Sequence, residues 1–116
     1  NNKLSSLSRI KVLEFSKIIE DMGAGEILLN SVDQDGMGRG YDLNLIKLVS
    51  NSVKIPVIAC GGVGDWPHFQ EAFEETKTDA VAAANIFHYR DQSVYLAKKY
   101  LYENNSNVRK PDLLKV

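Results

Sequence analysis

The sequence predicts an α/β fold, and within it the C-terminal part of a (β/α)8 TIM barrel: helix 5 followed by βα units 6 to 8. Three observations carry this reading. Three short apolar runs, each followed by a small-residue loop or turn and then an amphipathic stretch, start near Ile27, Val57 and Val81, 30 and 24 residues apart. Repeated right-handed βα crossovers make a parallel sheet covered by helices, which a doubly wound sheet and a barrel both satisfy. A barrel of about 250 residues spends about 31 on each unit. A chain of 116 residues therefore holds fewer than four units. The chain also opens on a helical pattern with no strand ahead of it, which sets the piece late in a barrel. Residues 1–116 are expected to form one partial barrel domain without the N-terminal half.

Each element has a local reason. Residues 1–7 are polar and read as a frayed start. Ser8 is placed to cap a helix with Val12, Phe15, Ile19 and Met22 at helical spacing and Ile18 beside them. Gly23 stands where a helix ends. Ile27-Leu28-Leu29 is a continuous apolar run, which marks a strand buried on both faces. Ser31 to Tyr41 holds Gly36, Gly38 and Gly40 and reads as a loop. Asp42 caps a second helix whose inward stripe is Leu45, Ile46, Leu48 and Val49. Ile55 to Ala59 is the second strand, with Pro56 near its start, where a missing N–H is tolerated. Gly61-Gly62-Val63-Gly64 turns the chain, and Asp65 caps a third helix with Phe69, Ala72 and Phe73 inward. Asp79 to Ala84 is the third strand, followed by a turn at Asn85 to Tyr89. Asp91 caps the last helix, with Val94, Leu96, Ala97, Tyr100 and Leu101 apolar. Asn104, Asn105 and Asn107 end it.

Composition excludes several classes of function. Fourteen basic and fifteen acidic side chains give a net charge of −1, which is no footprint for nucleic acid or an anionic membrane. No apolar run approaches the roughly 20 residues of a membrane span, and no signal peptide opens the chain. The one cysteine and two histidines rule out an internal disulfide framework and argue against a structural zinc site. A reducing cytoplasm is the expected compartment. No metal and no cofactor are expected.

In βα folds of this kind, ligands meet the loops at the C-terminal strand ends. The first such loop, Asn30 to Gly36, carries Asp33 and Asp35, which could hold a ligand hydroxyl, act in proton transfer, or simply cap backbone N–H groups. Ser31, Asp33, Asp35, Gly36 and Asp42 fall at calcium-loop offsets. Ser at the first position, Asp at the last and a preceding strand all argue against calcium. The second loop, Gly61 to Gly64, allows backbone N–H groups to approach a phosphate, but it lacks the third glycine of the dinucleotide fingerprint. The third, Ala83-Ala84-Asn85-Ile86, leaves room for a ligand at a short helix start. Barrel phosphate sites commonly use the loops after strands 7 and 8, so the last two loops together say more than either alone. His68 reads as a surface or capping residue and His88 as structural. Cys60 reads as an inert buried thiol, and Trp66 with Phe69 and Phe73 as packing. No lysine lies in a strand, so a Schiff-base mechanism has no nucleophile.

These segments also resemble a known family. Gly23-Ala24-Gly25-Glu26-Ile27-Leu28-Leu29, Ser31-Val32-Asp33-Gln34-Asp35-Gly36 and Gly40-Tyr41-Asp42 are similar to strand 6 and its loop in the cyclase subunits of imidazole glycerol phosphate synthases. Pro56 to Gly64 resembles strand 7. His68-Phe69, Glu71-Ala72-Phe73, Asp79-Ala80, Ala83-Ala84, Phe87-His88 and Asn107-Val108-Arg109 resemble the remainder. The likeness runs from about Ile10 to Arg109, in order and with barrel spacing.

The resemblance implies a lyase of histidine biosynthesis. It takes ammonia from a glutaminase (amidotransferase) subunit and closes the imidazole ring of a bisphosphorylated nucleotide, releasing imidazole glycerol phosphate and aminoimidazole carboxamide ribotide. It also implies a substrate site at Asn30, Asp35, Gly36, Gly61, Gly62, Ala84 and Asn85. Within that site Asp35 is the one supporting catalytic group. The family's two catalytic aspartates belong to strands 1 and 5, outside this chain, so the chain alone is expected not to catalyse ring closure. Asn30, Cys60 and Asn85 stand where the family usually has Thr, Ser and Ser. Those departures also resemble a branch that works with an amidotransferase on bacterial surface sugars. A non-catalytic phosphate-binding module is the alternative from another class.

Overall fold

The computed structural model describes residues 2–89 and 94–112. Its elements are α1 (Asn2–Asp21), β1 (Ile27–Asn30), α2 (Leu43–Ser50), β2 (Val57–Cys60), α3 (Trp66–Glu75), β3 (Ala80–Val81), α4 (Ile86–Tyr89) and α5 (Val94–Glu103). The three strands form one parallel sheet in the order β1-β2-β3. Ile27 pairs with Val57 and Asn30 with Cys60, so the two strands end level. Ile58 pairs with Ala80 and Ala59 with Val81. The architecture is α/β with a small parallel sheet, as part of a TIM barrel requires.

The helix starts follow the local chemistry read from the sequence. The Asp42 carboxylate accepts from Leu45 N at 3.0 Å. Asp65 caps α3 by accepting from Trp66 N at 2.9 Å, while His68 Nδ1 accepts from Gly64 N and Asp65 N. This is a reciprocal capping box with histidine in the role usually taken by Glu or Gln. His68 is therefore a capping residue, as expected. The predicted cap at Asp91 lies outside the described residues.

Three expectations need correction. Residues 2–7 are helical rather than frayed, and Ser8 lies inside α1. No glycine or proline interrupts the stretch from Asn2 to Asp21, so nothing stops the helix from extending backwards. The buried stripe of α1 is also different. Ser16 is 3% exposed, with Val12 and Ile19 half-buried beside it, whereas Phe15, Ile18 and Met22 stand exposed. Helical spacing identifies an apolar stripe, but the position of α2 decides which flank of α1 is covered. The Ser16 hydroxyl is satisfied by donating to Val12 O at 2.7 Å, which lets it be buried.

The third correction concerns the strands. They are covered on one face only. Ile27, Leu29, Val57 and Ala59 are buried against the helices, while Leu28 on the opposite face is 63% exposed. The third strand is also shorter than Asp79 to Ala84. Its ladder covers Ala80–Val81, Ala82 N adds a bond to Ala59 O, and the chain then leaves the sheet. Asp79 and Thr78 instead lock the start of β2. Val57 N donates to Asp79 Oδ2 at 3.1 Å, and Thr78 Oγ1 donates to Val57 O at 2.8 Å.

The core lies between the sheet and α2, α3 and α5. It is built on Ile46, Val49, Val57, Ala59, Phe69, Ala72, Ala97 and Leu101. Trp66 stacks on Phe69 with ring centroids 5.9 Å apart and tilts against Phe87 at 6.0 Å. Trp66 and Phe69 are thus packing residues, as expected, and Phe73 packs half-buried at the core's edge. Among the described residues, no helix is long and apolar enough to cross a membrane.

Candidate functional site

Because β1 and β2 end level and β3 lies beside them, the segments that follow the three strands leave the same edge of the sheet. They surround one small cavity of about 120 Å³. Asn30 and Asp35 come from the end of β1 and its loop, Cys60 to Val63 from β2 and its turn, and Ala83 to Asn85 from the stretch after β3. A second, open depression of about 310 Å³ shares Asp35, Ala84 and Asn85 and adds Gly36 and His88. All seven residues anticipated for a binding site thus lie around two adjoining cavities: six line the first, and Gly36 lines the second.

The loop after β1 is held by its own backbone and by the turn after β2. Gln34 N and Asp35 N both donate to Ser31 O, closing a tight turn that carries Asp35. Gly40 N then donates to Gly62 O at 2.8 Å. At Gly62, φ is +110°, and a Cβ there would overlap the Gly40 carbonyl. A Cβ at Gly64 would overlap the Gly38 carbonyl in the same way. The glycines read as a phosphate cradle therefore have a packing duty as well. They allow two loops to lie backbone on backbone.

Tyr41 fastens the far end of the same loop. Its hydroxyl donates to Ala82 O at 2.8 Å, and its ring lies 6.3 Å from that of Phe69. Burial, with a smaller contribution from nearby Cys60, pushes the phenol's pKa well above its ordinary value, so it stays a protonated donor. The loop is thereby tied to the turn after β2 through Gly40 and to the exit of β3 through Tyr41. Both ties hold the three segments around the cavity.

Two lining residues were read otherwise from the sequence, Cys60 and His88, while Val63 and Ala83 belong to the loops already singled out. Cys60 is half-buried with a free thiol and lines the cavity, so it is not the fully buried thiol expected. The alternation of β2 could have revealed this, because Cys60 shares a strand face with Ile58 and not with the buried Val57 and Ala59. His88 is exposed at the rim and not packed into the core. Asp33, weighed with Asp35 on the same loop, lines neither cavity, and Asp42 serves as the cap of α2. Asn30, Cys60 and Asn85, the three departures noted in the sequence, all line the same cavity.

Comparison with known proteins adds a family. A family model described as histidine biosynthesis protein matches residues 2–93. The chain is 49% identical over 102 residues to the imidazole glycerol phosphate synthase subunit HisF of Hydrogenobaculum sp., covering 88% of this chain and 40% of that protein. It is 48% identical over 100 residues to the chloroplastic imidazole glycerol phosphate synthase hisHF of Arabidopsis thaliana, covering 86% and 17%. The corresponding hisHF of Schizosaccharomyces pombe is 50% identical over 100 residues, covering 86% and 18%. The chain therefore spans less than half the length of these relatives. Among solved structures, a mutant FabK from Thermotoga maritima superposes with a TM-score of 0.51 at 26% identity, over 77% of this chain and 31% of that one.

Proposed function

Because the chain belongs to the histidine biosynthesis protein family, we propose that it is the C-terminal part of a (β/α)8-barrel cyclase, carrying βα units 6 to 8. In this reading the whole enzyme is a lyase that accepts ammonia from a glutaminase partner. It closes the imidazole ring of a bisphosphorylated substrate to give imidazole glycerol phosphate and aminoimidazole carboxamide ribotide. The names of the relatives support this assignment.

The observation that carries the chain's own role is the convergence of three loops on one cavity at the C-terminal strand ends. We assign to it one phosphate-bearing end of the substrate. Gly61, Gly62 and Ala84 bring backbone close to the ligand, and Asn30 and Asn85 offer neutral hydrogen-bonding side chains. Gly36 closes the neighbouring depression. Asp35 lines both cavities and positions the substrate, accepting from its hydroxyl groups. It is the one carboxylate among the described lining residues, so proton transfer between two positioned groups needs a partner from elsewhere in the barrel.

A chimera tests this reading. Residues 10–109 replace the matching segment of the Hydrogenobaculum HisF subunit, and ring closure is assayed with an ammonium salt. The chimera should turn over substrate, and the 116-residue chain alone should not. A folded chimera that binds neither substrate nor product overturns the assignment.

A further inference from the structure

We propose that His88 is an anion-binding residue of this site, supplying the positive charge that the other described lining residues lack. The proposal rests on the phosphate assignment above and deepens it. The cavity walls offer backbone, two neutral amides, a thiol and the Asp35 carboxylate. Among the described lining residues of both cavities there is no lysine or arginine, and His88 is the one side chain able to carry positive charge. A doubly charged phosphate entering beside Asp35 would therefore meet like charge from the loop after β1. His88 offers opposite charge from the segment after β3, across a depression shared with Asn85 and Gly36.

The backbone fixes where the imidazole starts. Phe87 N donates to Ala84 O and His88 N donates to Asn85 O, so the turn that places Ala84 and Asn85 on the cavity also sets His88 at its rim. Among the described residues, the charged and titratable groups that line the two cavities are Asp35 from the β1 loop and His88 in the depression, with Cys60 from β2 in the adjoining cavity. Histidine is the side chain whose charge changes within the physiological pH range. The site should therefore hold an anion more tightly in mildly acidic solution.

Sulfate is the probe, because it keeps two negative charges throughout the range in which histidine titrates, whereas phosphate changes its own charge there. For the 116-residue chain, sulfate affinity should rise about two- to fivefold between about pH 8 and pH 5.5, the gain of one solvated ion pair with a dianion. In His88→Gln the affinity should be flat over that interval. In His88→Lys it should be tight throughout.

By linkage, sulfate must in turn shift the titration of the His88 ring upward in NMR spectra. The chain has only two histidines, and His68, held in the cap of α3, serves as the internal reference. A pH response that survives His88→Gln, or an upward shift confined to His68, overturns the role of His88 while leaving the anion site standing. No sulfate binding by the unaltered chain at any pH overturns both this proposal and the phosphate assignment beneath it.

Discussion

At the scale of single residues, the site depends on contacts that a side chain would destroy. Gly62→Ala must place a Cβ against the Gly40 carbonyl while holding a backbone that L-residues rarely adopt. Strain of this kind costs about 1–3 kcal/mol before the overlap is counted. Urea denaturation should show at least that loss, and Gly25→Ala, which meets nothing within 4 Å, should be nearly neutral. Tyr41→Phe removes the donor to Ala82 O and should cost about 1 kcal/mol at neutral pH.

The pH dependence of Tyr41 has a definite sign. Burial raises its pKa in the folded state, so above its ordinary value of 10.0 the unfolded chain ionises first. Stability is then intact below that value and falls as pH rises beyond it. In Tyr41→Phe this alkaline decline should be shallower, as stability measured between neutral pH and the alkaline limb will show.

The starts of α2 and α3 were legible because a cap is a conversation among three or four neighbouring residues. Asp42 with Leu45, and Asp65 with Trp66 and His68, are complete within that span. The ends of α1 and α5 are equally local. Gly23 N and Ala24 N return to Glu20 O and Ile19 O, and Asn105 N and Ser106 N return to Tyr102 O and Leu101 O. These are the paired bonds of a Schellman motif. Asp65→Ala should destabilise the chain by about 1 kcal/mol, as loss of a cap does. His68→Ala should cost a comparable amount, by removing the acceptor for Gly64 N and Asp65 N. If the two form one reciprocal box, the double variant should lose less than the sum of the singles, which thermal unfolding of all four proteins will measure. The buried flank of α1 was not legible in the same way. Its apolar residues outnumber the positions that α2 covers, and the contact lies far along the chain. Glu20 shows the distance involved, accepting from Lys54 N and Ile55 N ahead of β2.

For the molecule as a whole, the consequence of the three-stranded sheet is that, among the described residues, nothing covers Leu28 on one face and the outer edges of β1 and β3 have no strand partner. Leu28 is exposed on that face, Phe15 and Ile18 are exposed on the outer flank of α1, and Met22 is exposed just past its end. A further groove of about 420 Å³, walled by Ala80 to Ala83, Phe73, Phe87 and α5, runs along β3. Exposed apolar surface and open strand edges drive pairing between chains. The chain should therefore self-associate, and sedimentation across a dilution series should show species larger than 12.9 kDa. Leu28→Lys should weaken that association without unfolding the chain, because its side chain makes little use of the helical face. A cooperative monomer at all concentrations would contradict the expectation.

The sequence by itself determined the order of the strands and of the helices between them, where α2 and α3 start, where α1 and α5 stop, and which three loops meet at one cavity. Each of these is settled within a few residues, by periodicity, a capping side chain or a left-handed turn. Only the tertiary structure decided that the strands have one covered face, that β3 leaves the sheet after two residues, and that Cys60 and His88 reach the cavity. It also decided that Gly62 and Gly64 serve loop packing, since their neighbours are Gly40 and Gly38 on another loop. The physical reason is range. Hydrogen bonds within one turn are written in adjacent residues, whereas burial and close approach depend on elements some thirty residues away, placed by the sheet.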